Sequence, residues 1–248
     1  MSVRRAAAGL AVLALAGCGG SGKPTITVSA AASLKKAFTA YGAQFPAATT
    51  RFSFAGSDVL AAQIEQGVKP DVFAAANTKL PEMLYAKGLV EKPIVFAANQ
   101  LVLAVPAGSK IRSLADVEKR GVTLVIGTPS VPVGDYTDKA LTRLAPAQRT
   151  AILANVKDRE SDVTAIVGKL TQGAADAGFL YITDINAAGG KLWAIPLPSS
   201  LRPKVAYGVA VVKGAGHPAQ ARQFVAGLLN GLGRVGLANA GFLPPPQG

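Results

Sequence analysis

Cysteine and histidine are nearly absent: Cys18 and His217 stand alone in 248 residues. A single cysteine closes no internal disulfide, and without a spaced Cys/His set there is no basis for structural zinc, an iron–sulfur cluster or a histidine-based metal centre. Aromatic residues reach only 6% and charged residues 16%, while half of the chain is hydrophobic. That balance excludes a disordered chain. Glycine (27) and proline (16) show no collagen-like period. No apolar run attains the about 20 residues of a membrane-spanning helix. Acidic residues are also scarce, 14 against 26 Lys and Arg, for a net charge of +12. The length is that of one large or two medium domains, each able to bury its own core.

The N-terminus has a distinct character. Arg4 and Arg5 precede an apolar or small-residue stretch from Ala6 to Gly17, the pattern of an export signal. Leu15-Ala16-Gly17-Cys18 resembles the lipobox of bacterial lipoproteins. The resemblance implies a signal peptide over 1–17 and lipidation of Cys18, with the protein held on the outer face of the cytoplasmic membrane. Gly19-Gly20-Ser21-Gly22 suits a flexible tether over 18–24. Loss of residues 1–17 removes Arg4 and Arg5 and no acid, leaving +10. The remaining basic residues are scattered, and an exported protein meets no genome, so no nucleic-acid partner is expected. An anionic envelope and anionic solutes are the natural counterparts of such a surface.

Along the mature chain, short β-rich runs alternate with helical patterns. Strands are expected at Thr25–Ala30, Thr50–Phe54, Val72–Ala75, Ile94–Ala98, Leu101–Val105, Thr123–Ile126, Ala177–Leu180, Leu192–Pro196 and Val205–Val212. Helices are expected at Leu34–Phe45, Leu60–Gly67, Leu80–Lys87, Leu114–Glu118, Tyr136–Leu144, Pro146–Ala154, Val163–Thr171, Pro218–Leu229 and about Leu232–Ala240. Leu34, Phe38, Tyr41 and Phe45 fall on one helical face, and Pro46 ends the run. Such alternation builds parallel sheets flanked by helices. The expected fold is α/β with two lobes, 25–98 plus 206–248 and 99–205, each a mostly parallel sheet, with a hinge where the chain crosses. Crossings of this kind create a cleft at the carboxyl ends of strands.

Four segments share one local design, in which a strand ends and a small or hydroxyl residue opens a helix: Ala32-Ser33-Leu34, Gly56-Ser57-Asp58, Pro132-Val133-Gly134 and Ser161-Asp162-Val163. The first N–H groups of each helix lack intrahelical partners and carry roughly half a positive charge from the macrodipole. Each segment is a potential anion site. Ser33, Ser57 and Ser161 are equally readable as ordinary N-caps. About five charge-assisted hydrogen bonds at about 1.5–3 kcal/mol each reach about 8–15 kcal/mol before costs, enough for the about 8 kcal/mol of micromolar binding.

Several blocks in register resemble one family: Ala30-Ala31-Ala32-Ser33-Leu34, Phe54-Ala55-Gly56-Ser57, Pro70-Asp71-Val72-Phe73-Ala74, Val131-Pro132-Val133-Gly134 with Tyr136, Asp162-Val163, Ala177-Gly178-Phe179-Leu180-Tyr181 with Asp184, and Ala240-Gly241-Phe242. Over roughly Thr25 to Leu243 the chain is similar to the periplasmic or lipoprotein molybdate-binding component of ABC transporters. The resemblance implies a two-lobed periplasmic-binding-protein fold (type II) that holds a tetrahedral oxyanion, molybdate or tungstate, as ligand, with no cofactor. Matched by position, it assigns the ligand to the Ser33 and Ser57 hydroxyls with their amides, the Val133 and Val163 amides and the Tyr181 hydroxyl. It also implies a membrane permease with a cytoplasmic ATPase as partner, and a monomer.

Asp58 and Asp162 stand beside these positions. Turned inward, their carboxylates would repel a dianion and favour a hard cation such as ferric iron; placed in a first helical turn, they complement the dipole. Sulfate and phosphate are the other competing solutes. An enzyme of this fold needs an activated nucleophile or an acid–base pair, and no His, Cys or Lys accompanies the serines in these motifs. Gly127-Thr128-Pro129-Ser130 lacks the lysine of a phosphate loop and reads as a turn. His217 reads as a surface residue at a helix start, and Trp193 as packing within a lobe.

Overall fold

The computed structural model describes residues 22–246. The export signal, Cys18 and most of the tether lie outside the described residues. Ten strands and nine α-helices are named here in chain order among the described residues: β1 (Thr25–Ala31), α1 (Lys35–Gln44), β2 (Thr49–Ala55), α2 (Ser57–Glu65), β3 (Val72–Ala75), α3 (Lys79–Ala86), β4 (Ile94–Asn99), β5 (Leu101–Pro106), β6 (Leu124–Gly127), α4 (Pro132–Leu141), α5 (Pro146–Ala154), β7 (Val156–Glu160), α6 (Val163–Thr171), β8 (Ala177–Tyr181), α7 (Ile182–Ala187), β9 (Leu192–Pro196), β10 (Val205–Val211), α8 (Pro218–Asn230) and α9 (Leu232–Ala240).

Two five-stranded sheets, each flanked by helices, form two lobes. Their strand orders are β2-β1-β3-β10-β4 and β7-β6-β8-β5-β9. In each, three strands pair in parallel while one reversed strand, β10 or β5, makes antiparallel ladders to both its neighbours. The reversal follows from the crossings. β4 ends at Asn99 and β5 begins at Leu101, so the chain enters the second lobe from the side where its other strands end. β10 re-enters the first lobe in the same manner.

Central strands are apolar on both faces, as burial between helix layers demands: Val72–Ala75 and Ala177–Tyr181 are wholly buried. The helical face predicted over Leu34, Phe38, Tyr41 and Phe45 is buried. It packs on α8, with the Phe38 and Phe224 rings 5.6 Å apart and the Tyr41 hydroxyl donating to the Phe224 carbonyl at 3.1 Å.

Four sequence expectations need correction. α4 starts at Pro132 rather than Tyr136 and ends at Leu141, because proline at the first helical position is pre-set for helix entry. β7 (V-K-D-R-E) escaped notice because it is an edge strand whose charged residues face solvent. α7 begins directly where β8 ends, leaving no loop to mark it. Trp193 is 47% exposed on the edge strand β9 and lies under the Arg112 guanidinium, 5.7 Å from the ring centroid. It therefore packs against a surface cation rather than inside a lobe.

Candidate functional site

The carboxyl ends of β1, β2 and β3 in the first lobe face those of β6, β7 and β8 in the second. Between them lies a cavity of about 20 Å³, lined by Ser33, Ser57 and Ala76 on one side and by Val133, Val163 and Tyr181 on the other. All five residues singled out in the sequence for an oxyanion meet at this one place. A single water needs about 10–15 Å³ by the same measure, so the space suits a compact ion. Its remaining walls come from the small residues Ala31, Ala32, Ala55 and Gly56, which let the helix starts approach closely, and from Val131, Pro132 and Asp162. A larger cavity of about 590 Å³ opens beside it, between α1 and the α6–α7 side, with Lys35 and Lys36 on its wall. These cations favour the approach of anions.

Ser57 is arranged as a donor. Ser57 Oγ accepts the Ala76 N–H at 3.1 Å, which leaves its own proton for the cavity. Ser33 Oγ lies 2.9 Å from Tyr207 Oη, and Tyr207 Oη in turn accepts from Asn99 Nδ2 at 3.2 Å. The Tyr181 hydroxyl is buried with no hydrogen-bond partner among the described residues. Burial holds its phenol well above its ordinary titration range, so it stays protonated. A buried unpaired hydroxyl costs about 1–3 kcal/mol, which a ligand oxygen would relieve.

The serines are not helix caps. The cap positions are Ala31, Gly56 and Asp162, and neither Ser33 nor Ser57 makes a side-chain cap bond. That duty at α6 falls to Asp162, whose Oδ1 accepts from the Thr164 and Ala165 N–H groups at 2.7 and 3.1 Å. Asp162 lines the cavity, with one of its two carboxylate oxygens taken by the helix. Asp58 is not part of the lining; its Oδ1 is buried without a donor in the first turn of α2. Asp184, buried behind Tyr181, accepts the Tyr181 N–H at 2.9 Å, and desolvation raises its pKa to about 7. Near neutral pH it therefore carries only part of a charge toward the cavity. Among the described residues, no His, Cys or Lys lines the cavity.

The seam beside the cavity is tight. A Cβ on Gly56 would overlap the Ser161 carbonyl oxygen of the opposite lobe. His217 is the cap residue of α8, and its N–H donates to Asp71 Oδ1 at 2.8 Å, remote from the cavity lining. Thr128–Val131 forms the expected turn, with the Val131 N–H on the Thr128 carbonyl at 3.2 Å. Sequence reasoning missed Asn99, Tyr207 and Thr183, which stand behind Ser33. The only signals were an asparagine at the first chain crossing and a tyrosine inside an otherwise aliphatic strand.

Residues 26–243 match the family model described as bacterial extracellular solute-binding protein. The molybdate-binding protein ModA of Mycobacterium tuberculosis is 39% identical over 231 residues, 90% of this chain and 86% of that protein. Among solved structures, the periplasmic molybdate-binding protein of Azotobacter vinelandii superposes with a TM-score of 0.78 at 21% identity, over 89% of this chain and all of that one. The sulfate-binding protein SubI of M. tuberculosis superposes equally well, with a TM-score of 0.78 at 19% identity, over 89% and 87% of the two chains. The architecture is therefore that of two-lobed periplasmic binding proteins, and the chain belongs to the bacterial extracellular solute-binding protein family, a family of solute carriers rather than enzymes.

Proposed function

We propose that this protein captures molybdate, and tungstate as its near equivalent, in the cavity between the lobes, and delivers it to an ABC-transporter permease driven by a cytoplasmic ATPase. The ligand is held by the Ser33 and Ser57 hydroxyls and amides, the Val133 and Val163 amides and the Tyr181 hydroxyl. The observation that carries this reading is the Tyr181 hydroxyl, buried and without a partner among the described residues, in a cavity where Ser57 Oγ already accepts the Ala76 N–H and Ser33 Oγ lies beside Tyr207 Oη. A fully ionised oxyanion supplies the acceptors these groups lack. Seven neutral donors, two serine hydroxyls, four amides and one phenol, gain strength from the low local dielectric once lobe closure excludes water. The 39% identity to a protein named for molybdate binding supports the choice of ion.

Capture follows from closure of the two lobes, 25–98 with 206–248 against 99–205, and requires no bond making. The export signal and Cys18 support lipid attachment at the outer face of the cytoplasmic membrane, with a monomer as the working unit. Parallel calorimetric titrations with molybdate, tungstate, sulfate and phosphate test the reading. Molybdate and tungstate are expected to bind with micromolar or tighter affinity. Tighter binding of sulfate would assign the cavity to that ion instead, in keeping with the equal superposition on a sulfate-binding protein.

A further inference from the structure

We infer that Tyr207, steered by Asn99, is a positioning residue that fixes Ser33 as a hydrogen-bond donor toward the ligand, and thereby sets the preference for oxyanions that carry no proton. The inference rests on the oxyanion reading above.

The argument is one of donor and acceptor bookkeeping. Asn99 sits at the junction of β4 and β5, where the chain crosses between lobes, and is buried. Its Oδ1 accepts the Gln100 N–H at 2.9 Å, which fixes the orientation of the side-chain amide. Its Nδ2 then gives one proton to Thr183 Oγ1 at 2.8 Å and the other to Tyr207 Oη at 3.2 Å. A primary amide nitrogen only donates, so Tyr207 Oη must accept here. Tyr207 is fully buried, and its hydroxyl has one other neighbour, Ser33 Oγ at 2.9 Å. The phenolic proton is therefore directed to Ser33. With its oxygen occupied in that way, Ser33 turns its own proton into the cavity. Ser57 reaches the same polarity through the Ala76 N–H. Burial also keeps the Tyr207 phenol protonated, so the relay does not reverse by ionisation.

The consequence is selective. Inorganic phosphate near neutral pH retains a proton that needs an acceptor, and both serines are held as donors. Without the Tyr207 hydroxyl, Ser33 Oγ becomes free to accept as well as to donate. A merely structural role for Tyr207 would weaken all ions alike.

The test is calorimetry on the full chain with sodium molybdate and with sodium phosphate, for the wild type, Tyr207→Phe and Asn99→Asp, with thermal melting of each ligand-free protein. Tyr207→Phe is expected to weaken molybdate about three- to tenfold, the worth of one neutral hydrogen bond, and to narrow the molybdate-over-phosphate preference about tenfold. Asn99→Asp replaces the donor by an acceptor, so Tyr207 turns its proton away from Ser33; molybdate binding is expected to fall by more than in Tyr207→Phe. An unchanged preference in Tyr207→Phe overturns the inference, even where affinity drops. Should that variant lose its cooperative melting transition, Asn99→Asp decides, and wild-type molybdate affinity there overturns the inference. A wild type that binds no molybdate refutes the oxyanion reading itself, a result distinct from either.

Discussion

Replacing Gly56 by alanine should separate closure from folding. Gly56 has φ −57° and ψ 136°, a conformation open to any residue, so alanine meets no backbone strain in an open protein. What it meets is the seam, where the new methyl overlaps the Ser161 carbonyl oxygen across the cleft, and, within its own lobe, the movable Asp58 side chain, with Oδ1 at 2.9 Å. Restoring ordinary van der Waals contact requires the lobes to part there by about 1 Å. Hydrogen bonds lengthened by that amount from the usual about 2.9 Å pass beyond useful distance. Three of the proposed ligand groups, Val133, Val163 and Tyr181, belong to the second lobe. At about 1.5 kcal/mol each as the lower figure for bonds to a charged group, loss of one weakens binding about tenfold and loss of all three about a thousandfold. Calorimetric titration with molybdate should give a loss within that range, while the ligand-free melting temperature stays within a degree or two of wild type. Wild-type affinity in Gly56→Ala would refute the reasoning, because it would mean that the seam need not close on the ligand.

Other changes probe the site directly. Ser57→Ala removes a donor and strands the Ala76 N–H, now bonded at 3.1 Å; molybdate affinity should fall about ten- to a hundredfold, and unchanged calorimetric affinity would remove Ser57 from the site. Tyr181→Phe removes a hydroxyl that has no partner among the described residues, so the ligand-free melting temperature should hold or rise while affinity falls; a lower melting temperature with unchanged affinity would contradict its assignment. Asp184, with its pKa raised from 3.8 to about 7 by burial, should impose a pH dependence on stability. The folded state keeps this proton over a range where the unfolded chain has released it, so the Asp184 contribution declines as pH rises from about 4 to about 7, by about 1.4 kcal/mol per unit at most. Asp184→Asn keeps an acceptor for the Tyr181 N–H and cannot ionise. It should match the wild type in denaturant midpoint near pH 4 and exceed it at pH 7; a difference that does not vary with pH would refute the assignment.

Much of the candidate site was legible in the chain because its elements are local. A strand followed at once by a small or hydroxyl residue and a helix exposes free N–H groups whatever the rest of the fold does, and this marked the segments that hold Ser33, Ser57, Val133 and Val163, while the family resemblance singled out the two valine amides and Tyr181. The lobed α/β architecture was legible for a similar reason, since alternating apolar periods restrict each segment to strand or helix. The reversed strands β5 and β10 and the charged edge strand β7 were not, because pairing direction depends on where the chain crosses and edge strands lack an apolar period.

Tertiary structure alone decided the polarity of the site. That Asp162 Oδ1 caps α6 depends on a rotation about its side chain, set by two N–H groups that only the folded helix presents. Whether Ser33 donates or accepts depends on Tyr207, 174 residues away in sequence, and on Asn99 at the crossing. The sequence thus determined which donors exist and that they sit at strand ends, since both are properties of short segments. Only the three-dimensional packing of the two lobes decided that they face one cavity, how large that cavity is, and in which direction each hydroxyl gives its proton.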